Sequence, residues 1–132
     1  MAAGEFKSFE EFWPSYVMDH QKKATRVLHF VGTTAAVACV AGALFTKRRW
    51  LLAVAPVVGY GPAWIGHFFI EKNRPASFTH PLWSLQADFV MWWKMASRTM
   101  DAEVERIVAE HAAKATEAPE GETVSTQDRV VN

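Results

Sequence analysis

Two long apolar stretches dominate the chain, and a short basic turn separates them. They cover residues 27–45 and 50–70, and each is nearly free of charged side chains. A stretch of about 20 apolar residues is long enough to cross a bilayer core of roughly 30 Å as a helix. Because the turn at Lys47, Arg48 and Arg49 is so short, the two stretches are predicted to form an antiparallel transmembrane hairpin.

An aromatic pattern precedes the first apolar stretch. Its members recur at helical spacing and are Phe6, Phe9, Trp13 and Tyr16. Ser8 and Glu11 have the spacing of a capping box, which favours a helix starting at Ser8. The pattern therefore predicts an amphipathic helix at the membrane interface, and Pro14 is expected to divide it into two short pieces.

The region after the hairpin predicts two further helices. Residues 81–100 are long enough to cross a membrane, but they contain Gln86, Asp88 and Lys94, so this helix crosses tilted or lies half embedded. We interpret it as a third span packed on the hairpin, which makes residues 1–100 one membrane-embedded helical domain. Residues 101–115 have the pattern of a soluble amphipathic helix, and 116–132 that of a disordered tail. The predicted fold is all-α, a small integral-membrane helical bundle.

Composition excludes some classes of protein. The formal net charge is zero and no basic stripe is present, which argues against nucleic-acid binding. A single cysteine, Cys39, cannot form an intrachain disulfide. Basic residues flank both ends of the hairpin, and their slight excess beside residues 22–26 and 72–74 favours a cytoplasmic location for that end, in a bacterial inner membrane or the endoplasmic reticulum.

Four histidines are arranged around the basic turn. His29 and His67 are equidistant in sequence from Arg48, and His20 and His80 lie further out on each side. Both arms of a helical hairpin rise equally per residue, so His29 and His67 are predicted to reach the same depth. His20 joins them only if the chain bends near residues 21–24, and His80 only if the connection before Pro81 folds back.

Clustered imidazoles at one end of the hairpin predict a metal site. Neutral imidazole is the commonest metal ligand in proteins, and three or four imidazoles suit iron, zinc or copper. Glu71 and Asp88 are carboxylates that could orient the imidazoles or join the site. The alternatives are a zinc-dependent lipid hydrolase, a haem-binding membrane protein, and a membrane scaffold whose histidines form a polar cluster without metal.

The residues around these histidines resemble a known family, the membrane 2-hydroxy-fatty-acid dioxygenases. The resemblance covers about residues 9–96 and is most specific in the second apolar stretch. It is carried by the strings Phe12-Trp13-Pro14-x-Tyr16, Arg26-x-Leu28-His29-Phe30-x-Gly32-Thr33, Gly66-His67-Phe68-x-x-Glu71-Lys72-Asn73-Arg74-Pro75 and Pro81-Leu82-Trp83-Ser84-Leu85-x-x-Asp88.

The resemblance implies a non-haem Fe(II)-dependent dioxygenase of fatty-acid α-oxidation. Such an enzyme uses O₂ to shorten a long-chain 2-hydroxy fatty acid by one carbon. The implied iron-binding and catalytic residues are His20, His29, His67 and His80. A site at the interface would let the lipid head reach the metal while its tail stays in the bilayer, with Arg74 or Lys72 pairing with the substrate carboxylate.

Overall fold

The structure is a computed structural model and describes residues 5–117. Every regular element in this part of the chain is helical. The elements are α1 (Phe9–Met18), α2 (Lys23–Thr46), α3 (Trp50–Ile65), a π-helical segment (Gly66–Glu71), a 3₁₀ turn (Ala76–Phe78), α4 (Pro81–Ala96) and α5 (Met100–Glu117). The predicted all-α fold is confirmed. Of the predicted tail at 116–132, only Thr116 and Glu117 are described, and they end α5; the rest lies outside the described residues.

The hairpin consists of α2, α3 and the π-helical segment. Two stretches are long and apolar enough to cross a membrane, Lys23–Thr46 with 24 residues and Trp50–Glu71 with 22. Lys47 reverses the chain between them in a left-handed conformation, with φ at 58°. Large apolar side chains cover the outer faces, as at Phe45 (89% exposed) and Leu44 (74% exposed). The architecture is that of a small helical membrane bundle.

Small residues let the two hairpin helices approach closely. A Cβ added at Gly32 of α2 would lie 2.7 Å from the Gly59 carbonyl oxygen of α3. A Cβ added at Gly59 would lie 3.3 Å from the Ala36 Cβ. Contacts this short are possible only where side chains are absent or minimal, which is how membrane helices commonly associate.

The remaining helices, α1, α4 and α5, form a cap over one end of the hairpin. Their shared core consists of large side chains that are almost fully buried: Phe12, Trp13, Tyr16, Val17, Met91, Met100 and Ile107. Ser8 caps α1 as predicted, accepting a hydrogen bond from the Glu11 amide at 3.4 Å. The cap is therefore packed like a soluble protein, by burial of large apolar surface.

Two details of the cap differ from the prediction. Helix α1 is continuous through Pro14, so the prediction of two pieces is wrong. Pro14 removes only the hydrogen bond to the Glu10 carbonyl, and Glu10 is exposed, where water can satisfy that group. Helix α4 packs on α2 as predicted but ends at Ala96. Its 16 residues span about 24 Å, less than the roughly 30 Å of a bilayer core, and its crossing stays a prediction.

Arg26 fixes the bend between α1 and α2. Helix α1 ends at Met18 and α2 begins at Lys23, so the predicted break is present close to residues 21–24. The Arg26 side chain is buried (4% exposed) and donates to the carbonyl oxygens of His20 at 2.9 Å and Gln21 at 2.5 Å. It also forms an ion pair of 2.7 Å with Asp101 of α5. The bend that carries His20 is thus held to both the hairpin and the cap.

Candidate metal centre

Three of the four predicted histidines meet where the hairpin joins the cap. His20 lies on the bend after α1, His29 on α2 and His67 on the π-helical segment, and all three are buried. The His29 Nε2 atom lies 3.2 Å from the Nε2 atom of His20 and 3.2 Å from that of His67. The hairpin geometry that predicted equal depth for His29 and His67 is therefore confirmed.

The outer nitrogen of each imidazole faces a hydrogen-bond acceptor. The Nδ1 atom of His20 lies 2.5 Å from the Tyr16 carbonyl oxygen, and that of His29 lies 3.2 Å from Asp88 Oδ1. The Nδ1 atom of His67 lies 2.7 Å from Asn73 Oδ1. A carbonyl or carboxylate oxygen only accepts, so Nδ1 carries the proton in each of the three rings.

The amide orientation of Asn73 supports this assignment. Its Nδ2 atom donates to the Asp19 carbonyl oxygen at 2.9 Å, which leaves Oδ1 to face His67. The reverse orientation would point an amide donor at the imidazole and an amide oxygen at a carbonyl oxygen. Asn73 therefore joins the π-helical segment to the end of α1 and sets the tautomer of His67.

With the protons on Nδ1, the three Nε2 lone pairs converge on one small volume. Burial lowers the pKa of His20 well below its usual value, which favours a neutral ring. Neutral Nε2 atoms 3.2 Å apart have no proton to share and repel one another, whereas a cation between them removes the repulsion. The distance between zinc and an imidazole nitrogen that binds it is about 2.0–2.1 Å. Two nitrogens that bind the same ion therefore lie within about 4.2 Å of each other. The two pairs that include His29 meet this condition, and the ligand atoms of all three rings lie within 4.8 Å of one another.

The π-helical segment presents His67 to the cluster. A Cβ added at Gly66 would lie 2.8 Å from Thr25 Cγ2, so the start of the segment sits directly against α2. Lys72, the residue after the segment, has a φ of 61°, and the Asn73 amide donates back to the His67 carbonyl at 3.0 Å. Wide π turns of this kind occur frequently at functional sites. Here the turn folds Asn73 back beside His67.

Asp88 links the cluster to the cap. Its Oδ1 atom accepts a hydrogen bond from the Tyr16 hydroxyl as well as facing His29. Burial, followed by the charge of Asp88, holds the pKa of the Tyr16 phenol well above its usual value, so the hydroxyl stays a donor. The Tyr16 ring also stacks on His20, with 4.0 Å between ring centroids. Asp88 thus lies within hydrogen-bond distance of one clustered imidazole, and its role in orienting that ring stays a prediction.

The other predicted site residues lie around the cluster rather than in it. His80 is stacked on Trp83 and packs near Phe6 and Phe12, and it is not among the three histidines that could share a metal ion. Glu71 accepts a hydrogen bond from the Lys22 amide at 2.7 Å. Lys72 and Arg74 are exposed on the connection that follows the π-helical segment. Their roles in binding substrate stay predictions.

Sequence reasoning missed Asn73 and the carbonyl of Tyr16 as groups that orient the histidines. Asn73 follows His67 by six residues, a spacing that does not share a face on an α-helix. Its presence in the most specific of the matched strings was the one available signal. Tyr16 belongs to the aromatic pattern and to the first matched string, but neither assigns a role to its carbonyl group.

One comparison with known proteins bears directly on this site. A family model described as "2-hydroxy-palmitic acid dioxygenase Mpo1-like" matches residues 6–100. The chain belongs to this family. No curated protein and no solved structure matches the chain. Membership in the 2-hydroxy-palmitic acid dioxygenase Mpo1-like family confirms the resemblance and indicates a function related to 2-hydroxy fatty acid dioxygenases. The matched region contains all three clustered histidines and their hydrogen-bond partners.

Proposed function

We propose that the chain is a membrane-embedded, Fe(II)-dependent dioxygenase that shortens long-chain 2-hydroxy fatty acids by one carbon. The observation that carries the proposal is the convergence of three Nε2 lone pairs, each ring held by an acceptor at Nδ1, in a chain of this family. In the balanced reaction, the 2-hydroxy acid and O₂ give a fatty acid one carbon shorter, carbon dioxide and water.

His20, His29 and His67 would hold the metal, and His80 stays a predicted fourth member of the site. Fe(II), when bound, would supply open positions for O₂ and for the hydroxyl and carboxylate of the substrate. Asp88, Asn73 and the Tyr16 carbonyl keep protons on Nδ1 and so keep Nε2 free for the metal. Burial of the three rings keeps bulk water from the site.

The exposed cations near the site would select for an acid. Arg74 and Lys72 lie at the end of the hairpin that carries the histidines, where a fatty acid head group enters from the membrane surface. We propose that they attract the substrate carboxylate. Arg26, in contrast, is occupied by two carbonyl groups and by Asp101, so its role is to hold the bend.

The geometry favours a non-haem site over a haem site. Nε2 atoms only 3.2 Å apart leave no room for a porphyrin ring between opposing axial histidines. A zinc site would use the same donor set but would activate water instead of O₂. Metal content and O₂ consumption separate these two.

The test is to purify the protein anaerobically, measure bound metal, add Fe(II) and 2-hydroxypalmitate, and follow O₂ uptake and the odd-chain product. Single His→Ala variants at positions 20, 29 and 67 are expected to lose metal and product together. His111→Ala is the matched control, because His111 is exposed on α5. His80→Ala tests the predicted fourth member.

Stoichiometric zinc without O₂ uptake would contradict the proposal and support a hydrolase. Unchanged turnover in any two of the three cluster variants would contradict the assigned site. Loss of product with normal metal content in His80→Ala would place His80 in substrate handling rather than in metal binding.

A further inference from the structure

We propose that a cavity beside the histidine cluster holds the substrate's acyl chain, and that Ala36 and Ala55 determine how long a chain it accepts. The inference rests on the proposed function and adds to it the path of the lipid tail. It is drawn from a cavity of about 220 Å³ that lies between α2, α3 and α4.

The cavity borders the candidate metal centre on the side of His29 and Asp88. His29 of the cluster and Asp88, which faces it, form part of the cavity wall. Thr33 and Ala36 follow His29 along α2 at steps of four and three residues, so the cavity runs from the cluster along one face of that helix. A ligand whose head lies at the histidines would therefore have its tail in this space.

The lining suits an unbranched hydrocarbon. Apart from the two site residues and the hydroxyl groups of Thr33 and Tyr60, the cavity is lined by apolar side chains. Small residues at positions 36, 55 and 59 leave this space open, and α2 and α3 approach closely at Gly59, where an added Cβ would lie 3.3 Å from Ala36 Cβ. A polar tail would lose its hydrogen bonds with water in such a space without regaining them.

Only part of a long chain fits inside. Pockets that enclose whole drug-sized ligands have volumes of about 300–1,000 Å³, and this cavity is smaller. Leu85 and Phe89 of α4 form its outer wall, and both are about half exposed on the apolar side of that helix. The rest of the chain can pass them into the bilayer.

The position of Ala36 sets a length scale. Ala36 follows His29 by seven residues, which corresponds to about 10 Å along a helix. Carbon–carbon bonds of about 1.5 Å advance an extended chain by about 1.3 Å per carbon, so about eight carbons reach from the cluster to Ala36. Side chains added at Ala36 should therefore hinder long substrates and spare short ones.

The first test compares kcat/KM for 2-hydroxypalmitate and 2-hydroxyhexanoate in Ala36→Leu and Ala55→Leu. We expect kcat/KM for the long substrate to fall about tenfold or more because the added side chain fills the cavity. The short substrate should change by less than about twofold, because it ends before the obstruction. Ala38→Leu and Ala53→Leu are matched controls on the exposed faces of the same helices, and they should behave as wild type.

An equal loss for both substrates, in variants that retain metal, would overturn the inference, as would no loss for either. The second test does not depend on variants. Wild-type protein loaded with Fe(II) is irradiated anaerobically with 2-hydroxypalmitate that carries a diazirine near its eighth carbon, and labelled peptides are identified by mass spectrometry.

Label at residues 33–36 or 55–59 would support the inference. Label confined to outward-facing side chains such as Val40 and Leu52 would overturn it. The two proposals fail separately. If wild-type protein does not consume 2-hydroxypalmitate, the proposed function fails, and the labelling still determines where the chain lies. If turnover is normal but the label lies outside the cavity, only the inference fails.

Discussion

The hairpin and the cap are packed in opposite ways. In the hairpin, small residues such as Gly32 and Gly59 face inward, and large side chains such as Phe45 face outward. In the cap, the large residues Phe12 and Tyr16 are at most 2% exposed. Lipid tails are as apolar as leucine, so helices in a membrane gain little from burying large apolar groups and associate by close backbone approach instead.

The candidate metal centre lies where the two kinds of packing meet. His29 and His67 belong to the hairpin, while His20 follows directly from α1 of the cap. Each region therefore contributes at least one histidine to the cluster, and a substitution that destabilises either region should disturb the cluster. Variants in each region can show how strongly the cluster depends on that region.

The largest effect is expected from a cavity in the cap. Phe12→Ala removes a buried ring that packs against Tyr16 and Trp83, and we expect a loss of about 3–5 kcal/mol in the free energy of unfolding of the cap. The hairpin should still insert. Thermal denaturation in detergent and carbonate extraction of membranes measure the two effects. Leu82→Ala, at a position 80% exposed, is the control. Equal melting of the two variants would refute a cap held by core burial.

A smaller effect is expected from a single methyl group in the hairpin. Gly32→Ala places a Cβ 2.7 Å from the Gly59 carbonyl oxygen and should force the helices apart, at a cost of about 1–3 kcal/mol. Gly61→Ala is the control, since no atom lies within 4 Å of its added Cβ. Bound Fe(II) per chain and the detergent melting temperature should fall in the first variant alone. If both variants match wild type, close approach does not hold the hairpin.

Variants of Asn73 test the contact between the π-helical segment and the end of α1. Asn73→Ala removes the acceptor for His67 Nδ1 and the donor to the Asp19 carbonyl, so we expect metal affinity to fall about 10–100-fold. Asn73→Asp keeps the acceptor and loses the donor, and it should bind with intermediate affinity. Competition against a chelator measures both. Wild-type affinity in Asn73→Ala would remove Asn73 from the site.

The smallest effect concerns the attachment of α5 to the bend. Hydrogen bonds from Arg26 and then Lys23 lower the pKa of Asp101 below its ordinary value of 3.8. The folded state thus binds fewer protons than the unfolded state just below pH 3.8, so the stabilisation is complete above that pH and is lost as the pH falls through the lowered pKa.

Asp101→Asn should therefore be less stable than wild type near neutral pH, by about 1 kcal/mol or less because Asp101 is half exposed. The two proteins should converge in acid. Chemical denaturation at both pH values measures the difference, and a difference that persists in acid would assign the effect to something other than the charge of Asp101.

The hairpin and the pairing of His29 with His67 could be predicted because both follow from numbers of residues along the chain. Apolar length determines a span, and equal distances from a tight turn determine equal depth. The sequence shows only that His20 can join the cluster if the chain bends near residues 21–24. The contacts that hold this bend involve Arg26, Asp101 and Asn73, which are distant in sequence or follow an irregular turn.

The surroundings of His80 could not be predicted by the same reasoning. Its position next to Pro81 suggested a connection folding back toward the cluster, but stacking on Trp83 and packing near Phe6 and Phe12 place its ring among aromatic residues. Such contacts depend on how the cap closes on itself. Periodicity within one helix carries no information about that step.

In the π-helical segment, the number of residues is as important for the site as their identity. A π turn holds one more residue than an α turn, so deleting one residue within Gly66–Glu71 would let α3 continue as a regular helix. Asn73 would then follow His67 by five residues instead of six and would lose the wide turn that folds it back onto the His67 carbonyl, although every residue of the site would still be present. When homologous sequences are aligned, a gap at this position should therefore count as heavily as the loss of a ligand.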